Sequence, residues 1–124
     1  MTQTDRQQII SDFVRRYHDD RDLSESDAEF ESIMTLDRLA YEQPELAWEL
    51  ILEIHALDQS SKVMGMLAAG PLEDVIEYHG PNFIDRIELF ARHSPQFRLL
   101  LGGVWECSTP EIWARVEVAR GKSR

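Results

Sequence analysis

The sequence predicts an all-α protein of about seven or eight short helices, stacked as antiparallel helical hairpins in an arrangement open to a solenoid-like curve. Three observations carry this. Apolar residues recur at three- and four-residue steps through most of the chain, the period of an amphipathic helix face. No segment alternates apolar and polar residues for long enough to make a half-buried strand. Gly70-Pro71 and Gly80-Pro81 each read as one helix closing and the next opening. Glycine accepts the left-handed conformation past a helix end, and proline at the first helical position gives up no hydrogen bond. Short links of this kind favour antiparallel neighbours.

Thr4 is the expected N-cap of the first helix, with Gln7 completing a capping box. Ile9, Ile10, Phe13, Val14 and Tyr17 form its apolar stripe, and it ends near His18. The polar, aperiodic run 19–25 reads as a loop, and Ser26 as the cap of a second helix. Ala28, Phe30, Ile33, Met34, Leu36, Leu39 and Ala40 mark that helix's broad inner side. Pro44 opens a third helix over 45–57 that is apolar on most sides, the mark of a central helix packed by several neighbours. After a break at 58–61, with either serine as cap, comes a helix carrying Val63, Met64 and Leu67. Gly65 within it costs about 1 kcal/mol against alanine and signals a close helix crossing.

Leu72, Val75 and Ile76 then face inward on a helix ending at His79, and Phe83, Ile84, Ile87 and Ala91 on the next, which His93-Ser94-Pro95 ends. Phe97, Leu100, Leu101, Val104 and Trp105 mark a further helix that Gly102-Gly103 shortens or bends. Thr109-Pro110 caps and opens the last one, with Ile112, Trp113, Val116 and Ala119 inward. Its basic end suits a helix C-terminus before a frayed tail at 119–124.

The 124 residues form one domain by length, 1–124, with enough core for a globular fold. The net charge is −10, and residues 1–62 hold 15 acids against 6 bases whereas 63–124 hold 8 against 7. Such a field keeps a small protein dispersed, repels nucleic acid and anionic membrane, and attracts a basic protein. No apolar run approaches the roughly 20 residues that cross a bilayer, and no secretory signal is visible, so a cytoplasmic protein is expected. The single cysteine, Cys107, has no internal disulfide partner.

Glu73, Asp74 and His79 precede the second Gly-Pro pair, and Asp85, Arg86 and Glu88 follow it. If the flanking helices fold back antiparallel, these six side chains meet. Carboxylates in a first helical turn also favour the helix dipole, and arginines such as Arg86, Arg92 and Arg98 pair with acids on adjacent helices, so a purely structural role accounts for the same residues. Glu73 and His79 fall on nearly opposite sides of a regular helix, and neither His-Glu-x-x-His nor Glu-x-x-His occurs. His55, in an apolar helix, reads as an ordinary packed or surface histidine. Cys107 lies at the mouth of the last helix, where a lowered thiol pKa would raise its reactivity, yet no base stands at motif spacing. There is no Gly-x-Ser-x-Gly elbow, and Gly121-Lys122-Ser123 lacks the upstream glycine of a phosphate loop. No catalytic residue, cofactor or metal ligand is therefore assigned.

Glu42, Glu45, Glu49 and Glu53 form a row at steps of three and four, either a solvated stripe or a docking edge for a basic partner. Trp48, Trp105 and Trp113 are each core residues or interface anchors.

The ordered run Ala68 to Asp74, His79-Gly80, Phe83 to Glu88, Ala91-Arg92, Pro95 to Arg98 and Leu101 to Trp105 resembles a bacterial family of small helical domains of unknown function. Weaker likeness extends upstream to Pro44–Glu49, so the family-like core spans about 44–105. The resemblance implies a fold and a bacterial origin, and no reaction.

The leading expectation is a non-enzymatic, acidic, helical protein-interaction module. One alternative is an immunity- or antidote-type protein that neutralises a basic effector. Another is an enzyme with a carboxylate/His site around the Gly80-Pro81 turn. A monomer and a homodimer completed through the third or last helix are both compatible with the sequence.

Overall fold

The computed structural model describes residues 1–18 and 27–121. Among them the chain is all helical and has no strand. The elements are α1 (Gln3–His18), α2 (Asp27–Glu42), α3 (Pro44–Leu57), α4 (Ser61–Leu67), a π-turn (Ala68–Leu72), α5 (Glu73–His93), α6 (Pro95–Leu101) and α7 (Pro110–Arg120). The expected loop at 19–25 and the Ser26 cap lie outside the described residues.

The helix starts follow local chemistry. Thr2 and Asp5 form a reciprocal capping box, Thr2 Oγ1 accepting from Asp5 N and Asp5 Oδ2 from Thr2 N, each at 3.0 Å. The cap of α1 thus lies two residues ahead of Thr4. Pro44, Pro95 and Pro110 stand in the first turns of their helices, where a missing N–H is free of cost. Ser94 and Thr109 cap α6 and α7 through Phe97 N and Ile112 N.

Cross-helix pairs fix the directions. Ser32 meets Asp12, and Glu29 meets Arg15, so α1 and α2 run antiparallel. Arg6 meets Glu49 and Glu53, and His18 meets Asp58, so α1 and α3 run parallel. These three helices form an up-down-up layer, as expected for hairpins. Arg115 lies against Asp85 and Glu88, and Ile112 against Gly80, so the second part of α5 runs parallel to α7.

Trp48, Leu50, Ile51 and Ile54 bury α3 among α1, α2, α4 and α5, confirming it as the central helix. Trp48 touches the rings of Phe83, Phe90 and Phe97 at centroid separations of 5.5–6.0 Å. Leu57, at the end of α3, stays exposed.

Gly70-Pro71 leaves the helical course unbroken, whereas Gly80-Pro81 parts two helices as expected, though without a left-handed glycine. Among the described glycines only Gly121 takes a positive φ, so neither Gly70 nor Gly80 uses the left-handed region. Gly70-Pro71 lies within the π-turn, where the usual i to i−4 ladder is already interrupted and a missing N–H is tolerated. Pro81 kinks α5: the backbone leaves helical geometry at His79 (φ −137°, ψ 22°) and then resumes. Residues 61–78 are therefore one helical course through the π-turn, and a second arm of α5 follows the break at His79.

Other expectations are corrected by packing. Phe30 and Met34 lie on the outer side of α2, whose buried face is Ser32, Leu36, Leu39 and Ala40. Gly65 is exposed, and a Cβ there would have nothing within 4 Å, so it marks no close crossing. The close approach is at Gly80, where a Cβ would come within 2.9 Å of Ile112 Cγ2 and Ser108 Oγ.

Candidate functional site

The six side chains expected to converge do not all meet: Asp85 and Glu88 share Arg115, whereas Glu73, His79 and Arg86 each have another partner. Glu73 Oε1 accepts from Trp105 N at 3.1 Å, and its neighbour one turn on, Glu77, accepts from Ser108 N at 2.7 Å. Together they pin the loop 102–109 along α5 and hold Ser108 at a φ of 67°, an uncommon value for a non-glycine residue. His79 Nε2 donates to the Tyr41 carbonyl at 2.7 Å, closing the end of α2. Arg115 donates to Asp85 and to both oxygens of Glu88 at 2.7–2.8 Å. Arg86 pairs with Glu45. The two arms of α5, parted by the kink at His79, face different neighbours.

The acidic row is likewise engaged. Glu49 and Glu53 receive Arg6 at 3.0 and 2.7 Å, Glu45 receives both terminal nitrogens of Arg86, and Glu42 lies 3.7 Å from Arg38. The Arg86 guanidinium holds the Glu45 carboxyl below its ordinary range. Arginines from α1, α2 and α5 thus neutralise most of this stripe from within the molecule.

Two half-buried carboxylates have no hydrogen-bond or ion-pair partner among the described residues: Asp37 on α2 and Asp74 on α5. Asp37 lies beside the π-turn, its Oδ1 3.7 Å from where a Cβ on Gly70 would stand. Burial raises its carboxyl above the ordinary value. Asp74 is pushed up to about 6, chiefly by burial and then by Asp37, Glu73 and Glu77.

One turn along each helix from these acids stand Tyr41 and Tyr78, edge to face at 4.9 Å. They are 58% and 54% exposed, so this aromatic contact is on the surface. Trp105, on the loop that Glu73 pins, is 74% exposed, whereas Trp48 and Trp113 are buried. Trp105 also borders an open groove of about 420 Å³ lined with Trp113, Glu117 and Arg120. Its exposure corrects the expected inward placement: α6 ends at Leu101, and Trp105 belongs to the loop.

Cys107 is half-buried beneath the same loop, its Sγ donating to the Glu73 carbonyl at 3.9 Å. Burial pushes the thiol up to about 12, helped by Glu73, Glu77 and Asp74, the reverse of a helix-activated nucleophile. Among the described residues no three His, Cys, Asp or Glu side chains are placed to hold a metal ion. No helix among them is long and apolar enough to cross a membrane.

Sequence reasoning missed Asp37, which looks like one polar position among several on α2. It also missed Asp12, which is 1% exposed and accepts from Ser32 Oγ, Arg15 Nη1 and Gln8 Nε2 at 2.6–2.9 Å. An acid among the polar positions of an amphipathic helix carries no local sign of burial.

A family model described as a family of unknown function, DUF6869, matches residues 18–124. That range reaches from the end of α1 through the last helix, well beyond the stretch 44–105. No curated protein and no solved structure matches the chain.

Proposed function

The chain belongs to the family of unknown function DUF6869, and from that premise we propose that it is a non-enzymatic protein-interaction module whose partner is a basic protein. The observation that carries this reading is the exposed pair Tyr41 and Tyr78, each one turn from a carboxylate that no arginine among the described residues neutralises, with the exposed Trp105 on the loop held by Glu73. Exposed tyrosine and tryptophan are the side chains most enriched at interface centres, and the field of a chain with net charge −10 steers cationic partners toward it. An active site built from Glu73, Asp74, His79 and Asp85 receives no such support, since Glu73, His79 and Asp85 are each bonded to a different neighbour. Action in the bacterial cytoplasm belongs to the same proposal.

Neutralisation of a basic effector, as an antidote does, is the specific form of this reading that the half-buried, unpaired Asp37 and Asp74 favour. An incoming cation would favour the charged form of both carboxylates and so lower their raised pKa values.

The test is capture on the tagged protein from native lysate at low and high salt, with mass spectrometry of what is retained. A basic protein held at low salt and released at high salt supports the module. Retention of acidic or neutral proteins alone, or of nothing, contradicts it.

A further inference from the structure

We propose that the face formed by Asp37 and Tyr41 of α2, Asp74 and Tyr78 of α5, and Trp105 is the docking site for an arginine-bearing segment of that basic partner. The proposal rests on the interaction-module reading and adds to it the surface and the chemistry of the group received.

The geometry begins with two parallel rungs. Asp37 and Tyr41 are four residues apart on α2, and Asp74 and Tyr78 four apart on α5, so each pair lies on one helix face. The two tyrosines meet edge to face at 4.9 Å, which holds the rungs side by side. On the other flank of α5, the Glu73 carboxylate accepts from the Trp105 main-chain N–H at 3.1 Å, on a loop that leaves the indole exposed.

The occupant follows from complementarity. Asp74 feels the charges of Asp37, Glu73 and Glu77, all of the same sign. An incoming cation relieves that repulsion, whereas an anion adds to it. Guanidinium fits better than ammonium, because a planar fork donates two parallel hydrogen bonds to a carboxylate while its face stacks on an aromatic ring. The molecule already makes this arrangement once: Arg86 gives two hydrogen bonds to Glu45 and lies 4.2 Å from the centre of the Phe83 ring. At the proposed face the carboxylate and the rings are present and the arginine is not.

Fluorescein-labelled nona-arginine, with nona-lysine for comparison, tests this by anisotropy titration of the intact protein at low salt. Nona-arginine is expected to bind several-fold more tightly than nona-lysine. Trp105→Ala and the double variant Asp37→Asn/Asp74→Asn are each expected to weaken it about tenfold, the scale of an interface hot spot. Glu49→Gln/Glu53→Gln, which removes as much charge from the acidic row, is expected to stay within about twofold. Circular dichroism of each variant confirms folding, and Trp105, being exposed, has little packing to lose. Equal affinity of Trp105→Ala and the parent, equal binding of the two peptides, no binding of nona-arginine, or an equal loss in the acidic-row variant overturns the proposal. If lysate capture retains a basic protein and the Trp105→Ala protein retains it as well, the docking face is wrong and the module reading stands. If nothing basic is captured, the module reading itself fails.

Discussion

Arg86 grips Glu45 through two parallel hydrogen bonds, Nη1 to Oε1 at 2.8 Å and Nη2 to Oε2 at 2.6 Å, while its guanidinium lies over Phe83. This contact ties the second part of α5 to the start of α3. It also turns part of the most conspicuous acid row in the sequence toward intramolecular pairing. Because the pair is open to solvent, its energy is modest. Arg86→Lys keeps the charge but loses the fork and the stacking, and is expected to cost within about 1 kcal/mol. Arg86→Ala costs more, since the aliphatic stem over Phe83 goes as well. Urea unfolding of both variants checks this order.

The glycines separate two kinds of position. Gly80→Ala would drive a methyl group into Ile112 and Ser108, and is expected to destabilise by about 1–3 kcal/mol. Gly65→Ala meets open space in a helix interior and is expected to stabilise by up to about 1 kcal/mol. The predicted order of thermal midpoints is Gly65→Ala above the parent and Gly80→Ala below it.

Asp12 joins α1 to α2 from a buried position, with three donors aimed at its carboxylate. Asp12→Ala strands the Ser32 hydroxyl and one end of Gln8, while Arg15, half exposed, turns to water. A loss of about 2–4 kcal/mol is expected in urea unfolding. Ser32→Ala, which leaves the arginine in place, is expected to cost less.

Two buried groups give opposing pH dependences. Asp74 titrates at about 6 in the folded protein against an ordinary 3.8, so the folded state holds the proton more tightly than the unfolded chain. Stability is therefore lost as pH rises from 3.8 through 6 and regained on acidification. Asp74→Asn is expected to raise stability at pH 7 by on the order of 1 kcal/mol, allowing for solvent screening of a partly exposed group, and to add nothing at pH 4. His55 acts the other way. It is buried and hydrogen-bonded to the Gln96 backbone, and burial lowers its pKa below the ordinary 6.5. Its neutral form is favoured in the folded state, so its contribution is complete above 6.5 and lost as pH falls below that value. Urea midpoints of the parent, Asp74→Asn and His55→Gln at pH 4, 5.5 and 7 separate the two slopes.

Helix positions fixed by local chemistry were legible in the sequence. Pro44, Ser94-Pro95 and Thr109-Pro110 open helices where expected, since a proline in the first turn, two of the three behind a capping hydroxyl, needs no distant partner. The same dipeptide logic found the break at Gly80-Pro81 but misread Gly70-Pro71, where packing decides: Pro71 is buried in the π-turn. The acidic row was visible as a pattern, but its partner Arg6 lies 43 and 47 residues away from Glu49 and Glu53, a distance no periodicity reports. Trp105, which follows an apolar run, read as either a core residue or an interface anchor. Its exposure comes from Glu73 and Glu77, which pull the loop 102–109 onto α5 and leave the indole outside.

The central claim is that cationic partners meet the face between α2 and α5 and not the row on α3. Amide NMR shifts recorded on the uniformly labelled protein during addition of nona-arginine test it most directly. The account predicts shifts centred on residues 37–41, 73–78 and 105, diminishing with added salt. Shifts centred on 42–53, with the α2/α5 face and Trp105 unmoved, would contradict it.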